Sequence, residues 1–233
     1  MLPGISLSVY EIPLIIKNSD KGKAWIMEYV TAYFWQPQNN ACSLLLQQAE
    51  ERNGHQIVLA CICEENTNES GCLTEALRDW FYHEVLTGRG TPHKRLQVLS
   101  GKLPVIISRA EKNQKQKETP LCGILCIGRF FCIFARESEI QMFNTRFGRA
   151  HTREILFSKK EVDIQLGVLE SGVGILIGSG GLWKKADKQR SLECLMVQEI
   201  SDDKGAERHL KEMCTQAQAE GAVNIAAVLL ISK

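Results

Sequence analysis

The feature that most constrains this chain is a set of short runs that are apolar at nearly every position: residues 57–63 (IVLACIC), 121–127 (LCGILCI), 130–136 (FFCIFAR), 174–177 (GILI) and 225–231 (IAAVLLI). Each is of strand length, and none alternates apolar with polar residues as a strand with one wet face does. Such a run has to be covered on both sides. Two antiparallel sheets packed face to face, with helices over the outer faces, would cover all of them at once. The order of elements agrees with this: strands, two helices, several strands, helices and a final strand. That order argues for an α+β chain with antiparallel sheets and against alternating βαβ units.

The remaining elements follow from local signals. Residues 6–16 alternate loosely around Pro13 and read as an edge strand, and 18–23 (NSDKGK) as a turn. Strands are expected at 42–46, 139–144 and 162–169, and at 25–34, where a helix is the alternative, with a polar turn at 36–40 and a hairpin turn at 50–55. Residues 73–86 form a helix with Leu73, Leu77, Trp80, Phe81 and Val85 on one face, broken by the stretch from Gly88 to Pro92. A second helix falls within 96–110, entered or interrupted at Pro104. Gly128-Arg129 fits a two-residue hairpin connection. Residues 206–219 form an amphipathic helix that Gly221 ends.

Length and composition place few further limits. The 233 residues fit one large domain, 1–233, with 1–23 read as an N-terminal extension. No internal repeat, low-complexity tract or linker interrupts it. A net charge of +1 provides no global field toward nucleic acid or anionic lipid. The nine cysteines are odd in number and mostly sit in apolar runs, where free cysteine packs as a small hydrophobe. With no signal-peptide pattern at the start and no run near the roughly 20 residues that span a bilayer, a reducing, cytoplasmic setting is expected.

Two glycine-rich turns carry the functional reading. Residues 175–183 (ILIGSGGLW) and 221–230 (GAVNIAAVLL) each join an apolar strand to a tight turn. They resemble two metal-binding turns of the PPM-type (type 2C) protein phosphatases, which read strand-S-D-G-L and G-x-x-D-N-I-T. Three earlier segments fit the same order. Residues 36–41 stand near the family's R-x-x-N-E-D turn, with Asn40 at the aspartate. The strand 57–63 runs into Glu64-Glu65-Asn66 where the family has D-G-x-G-G. Residues 136–139 (RESE) stand near G-D-S-R. The resemblance spans roughly 31–231 and implies an α-β-β-α sandwich, Mn²⁺ or Mg²⁺ as cofactor, a phosphoserine or phosphothreonine protein as partner within a kinase signalling system, and bacterial origin by length.

The departures are as informative as the match. The family's two ions need hard oxygen ligands, and they activate a water that attacks the phosphate ester. Gly180 and Val223 replace two aspartates and offer no ligand. Asn40 offers a neutral oxygen. Glu64 offers a carboxylate whose extra methylene moves it by about 1 Å, a shift that reacting geometries tolerate poorly. Ser179, Gly181 and Asn224 keep the scaffold of the turns. The family's phosphate-binding arginine has no counterpart nearer than Gln36, with Arg136 or Arg146 as substitutes.

The reading is therefore a pseudophosphatase, a binding or regulatory module without an intact catalytic set. The alternative is an active metal-dependent phosphatase with a divergent site using Glu64, Glu65 and Glu137. A third reading is an unrelated scaffold with a coincidental order of elements. Other chemistries have less behind them. Cys61 and Cys63 share one face of a strand, with His55 and Cys72 as the nearest further zinc ligands, and core packing explains them better. Cys72 at a helix start is the one cysteine placed for a lowered pKa. Gly178-Ser179-Gly180 lacks the spacing of a nucleophile elbow. The basic loop 112–117 has no interleaved aromatics for nucleic acid.

Overall fold

The computed structural model describes residues 28–36, 42–64, 72–113, 119–144, 153–157, 161–184, 195, 200 and 202–233. The expectations on residues 1–23, Asn40, Glu65 and Arg146, and on the side chain of Cys72, lie outside these.

Among the described residues ten strands form two five-stranded antiparallel sheets. They are β1 (Tyr29–Gln36), β2 (Cys42–Glu50), β3 (Gln56–Glu64), β4 (Leu121–Ile127), β5 (Phe130–Arg136), β6 (Ser138–Asn144), β7 (Arg153–Phe157), β8 (Asp163–Val168), β9 (Val173–Gly178) and β10 (Ile225–Ser232). The first sheet has the order β1-β10-β9-β6-β7 and the second β2-β3-β4-β5-β8. The chain crosses from the second sheet to the first in one residue, Glu137, whose φ of 48° permits the tight bend.

The apolar runs bury both faces, as their composition requires. In β3, Val58, Ala60 and Ile62 pack between the sheets, while Leu59, Cys61 and Cys63 face the other way. That second face is covered by α1 (Cys72–Trp80), a π-helical turn at Phe81–Val85, and α2 (Pro92–Asn113). On the first sheet the outer face is covered by α4 (Asp203–Ala219), through Leu210, Met213 and Cys214, and by the short α3 (Gly180–Trp183). Two face-packed sheets flanked by helices are the architecture expected from the sequence.

Several boundaries differ from expectation for identifiable reasons. Pro104 neither starts nor breaks the second helix; α2 runs through it. A mid-helix proline costs about 3 kcal/mol, and the burial of Leu96, Leu99, Leu103 and Ile107 on one face offsets this. The helix begins at Pro92, inside the stretch 88–92 expected as a break; proline suits a first helical turn. β1 extends to Gln36 because its last residues still pair with Ile225 and Ala226. β7 was not expected: it is a short edge strand. α4 starts at Asp203, with the Asp202 carboxylate accepting from the Gly205 N–H at 2.7 Å. Among the described residues no helix is long and apolar enough to cross a membrane.

Candidate functional site

The two glycine turns meet at one end of the sandwich. β9 leads into Ser179 and α3, and β10 begins directly after Asn224. The Ser179 hydroxyl donates to the Asn224 carbonyl at 2.8 Å and accepts from the Ala226 N–H at 3.1 Å. The Ser179 N–H donates to the Ala226 carbonyl at 2.8 Å. Gly181 is required by contact: a Cβ there would run into the Val223 carbonyl oxygen. Asn224 holds the left-handed conformation at φ 56°, which asparagine tolerates better than most residues. Beneath the turn, the Trp183 indole N–H donates to the Gly178 carbonyl at 3.0 Å. Ser179, Gly181 and Asn224, the three residues expected to carry the scaffold, thus form one latch between two strand ends.

Glu64 reaches this latch from the other sheet. It ends β3, with its N–H donating to the Pro120 carbonyl at 2.9 Å. Its Oε1 accepts from the Gly180 N–H, 116 residues away in sequence. A Cβ at Gly180 would lie 2.9 Å from that oxygen, so the absence of a side chain at 180 leaves the space that the carboxylate occupies. Cys122 lies below, its Sγ 3.6 Å from the Gly178 carbonyl. Burial pushes the Cys122 thiol up to about 12, against which the Ser138 hydroxyl works; Cys63 and Glu64 add to the rise.

Of the positions singled out in the sequence, Glu64 and Gly180 touch, and Gly181 abuts Val223. The Val223 side chain is 47% exposed and offers no ligand atom. Glu137 is exposed on the crossover. Among the described residues no three histidine, cysteine, aspartate or glutamate side chains gather into a metal-holding group. A two-ion centre needs several hard anionic ligands; of the candidates among the described residues, Glu64 is hydrogen-bonded to the Gly180 amide and Glu137 stands exposed on the crossover, outside any such group.

Arg136 does not serve as a substitute phosphate ligand. It is 3% exposed, its Nη1 donates to Glu111 Oε2 at 3.2 Å, and Nη2 pairs with Glu111 Oε1. Nε and Nη2 also donate to the Thr119 carbonyl, at 2.9 and 2.7 Å. Gln36 is exposed and accepts from Gln218 Nε2 at 2.6 Å. Cys61 and Cys63 stand with sulfurs 3.5 Å apart in the apolar layer under α1 and α2. No sequence motif marks Cys122 and Ser138, which meet under the turn.

No protein-family model matches the sequence, and no curated protein matches it. Solved structures do. PppA, a key regulatory component of T6SS in Pseudomonas aeruginosa, superposes with a TM-score of 0.62 at 13% identity, over 89% of this chain and 99% of that one. The serine/threonine phosphatase Stp1 from Staphylococcus aureus gives 0.61 at 12% identity, over 94% and 99%. The catalytic domain of the serine/threonine phosphatase PstP, solved with two manganese ions, gives 0.57 at 14% identity, over 89% and 98%. The chain has the PPM phosphatase fold. Identity this low carries the PPM fold alone. The β9–α3 and β10 turns of this PPM sandwich are the latch described above, and the end of β3 is its opposite wall.

Proposed function

We propose that this PPM-fold domain is a pseudophosphatase, a binding or regulatory module that does not run two-metal phosphate hydrolysis. One observation carries the reading: the Glu64 carboxylate is closed onto the Gly180 N–H, in space left by the missing side chain at 180. A carboxylate hydrogen-bonded to a backbone amide is a strong, charge-assisted contact. It ties β3 to the β9–α3 turn. The domain then needs no cofactor, and Mn²⁺ or Mg²⁺ enters only if the chain is an active phosphatase.

The partner class we infer is a phosphoprotein within a serine/threonine kinase system. This rests on the chemistry of the structural neighbours, which include serine/threonine phosphatases and a regulatory component. The test is hydrolysis of para-nitrophenyl phosphate by purified, folded protein with Mn²⁺ and then with chelator, beside Glu64→Ala. The expected result is no metal-dependent turnover in either protein. Mn²⁺-dependent turnover that disappears in Glu64→Ala would instead assign Glu64 as a ligand of a divergent but working site.

A further inference from the structure

The outward face of α2 has no internal explanation. Val98 and Val105 are 62% and 58% exposed, the highest values among the large apolar side chains described. They lie seven residues apart and so share one face of the helix. Gly101 sits between them. A Cβ at Gly101 would meet nothing within 4 Å, so the chain's own packing does not call for glycine there. Glycine and β-branched residues both weaken a helix relative to alanine. What the valine–glycine–valine stripe provides is a shallow apolar saddle, into which a second helix can sink to a close interaxial distance.

Charge selects the occupant. Along the same stripe, Lys94 stands four residues before Val98; Arg109 and Lys112 stand four and seven after Val105, and all three are exposed. Lys102 is partnered by Glu84 of the π-helical turn at 2.6 Å. The one acid of α2, Glu111, is buried against Arg136. A second copy of this helix would set lysine and arginine against lysine and arginine. Residues 1–27 carry three lysines against two acids, so they do not supply the opposite charge either. By contrast, the open groove of about 920 Å³ between β1 and α4 mixes Lys204, Arg208 and Lys211 with Glu207 and Glu212, and its charge picks out no partner.

We propose that the α2 face is a docking surface for an amphipathic helix of another protein, with small or apolar residues along one stripe and acidic residues at both ends. This is helix-on-helix recognition, with anchors at helical spacing and with the flanking ion pairs fixing register. The surface lies on the layer that covers the second sheet and does not depend on the site's being inactive.

The test uses the full chain and a fluorescein-labelled helical peptide of about 20 residues, long enough to hold a helix. The peptide has an alanine/leucine stripe flanked by glutamates; a matched peptide carries lysines in their place. Fluorescence anisotropy should show saturable binding of the glutamate peptide at least about tenfold tighter than the lysine peptide, weakening as salt is raised. Gly101→Leu, which fills the saddle, and Val105→Asp should each lose that binding while keeping the wild-type circular dichroism, with the unfolding midpoint of Gly101→Leu at or above the wild type's because glycine weakens a helix. Absent binding, equal binding of both peptides, or binding unchanged in folded Gly101→Leu would overturn the proposal. So would a wild-type dimer in sedimentation that Gly101→Leu disperses, which would assign the face to a second copy.

Discussion

The two sheets end side by side at the mouth of the sandwich, and they are finished in different ways. The first sheet ends in neutral groups: the Ser179 hydroxyl shared between Asn224 and Ala226, and Gly181 against the Val223 carbonyl. The second sheet ends in charges, Glu64 on β3 and Arg136 on β5. Both charges are satisfied inside the protein, Glu64 by the Gly180 amide and Arg136 by Glu111 and Thr119. The neutral end is held by hydrogen bonds to backbone groups and by close contact between two turns. At the charged end, Glu64 and Arg136 are both directed onto groups of the protein itself.

The comparison can be broken first at the charged end. Arg136→Met leaves the Glu111 carboxylate buried without its partner and should cost about 3–5 kcal/mol, read as a lowered urea midpoint. Adding Glu111→Leu should recover much of that loss, because a buried pair replaced by apolar groups is often neutral. If the single and double variants are equally unstable, the pair is not what holds this end. Next is Gly181→Ala at the neutral end. Its Cβ meets backbone that has no rotamer to yield, so a loss of about 3 kcal/mol, at the upper end of overpacking costs, is expected by thermal unfolding. Wild-type stability in that variant would mean the two turns are not in contact.

Smaller effects sharpen the picture. Ser179→Ala removes a donor to Asn224 and an acceptor for Ala226 and should cost about 2 kcal/mol, with hydrogen exchange rising at residues 224–226 ahead of the rest of the sheet. Below both ends, Cys122 provides a pH test. Its thiol is pushed up from 9.0 to about 12, so above pH 9 the unfolded chain loses a proton that the folded chain keeps. The stability it contributes is present below pH 9 and is lost between about pH 9 and pH 12, at on the order of 1 kcal/mol per pH unit. Urea midpoints at about pH 8 and about pH 11 should fall less in Cys122→Ala than in the wild type. Equal slopes would place the thiol's titration elsewhere.

How much of this was legible depended on whether the signal was local. β4 and β5 have the bounds read from the sequence, because LCGILCI and FFCIFAR are apolar on both faces and Gly128 supplies the positive φ of the hairpin. The latch was legible as Ser179, Gly181 and Asn224, since each acts through its own backbone or a neighbouring strand. Pro104 misled because the burial of α2 outweighs a local propensity. The bond from Glu64 to Gly180 was illegible: it joins residues 116 apart across two sheets, and its direction is set by tertiary packing. For the same reason Arg136 looked free in sequence, while its partner Glu111 lies 25 residues earlier on α2.

The most direct measurement is a calorimetric titration of purified wild type and Glu64→Ala with Mn²⁺, paired with the thermal midpoint of each at the end of the titration. The account predicts no saturable binding below about millimolar Mn²⁺ and no rise in midpoint for either protein, since a ligand that does not bind the native state cannot stabilise it. Micromolar binding to the wild type that raises its midpoint and vanishes in Glu64→Ala would contradict the account and make the mouth of this sandwich a working metal centre.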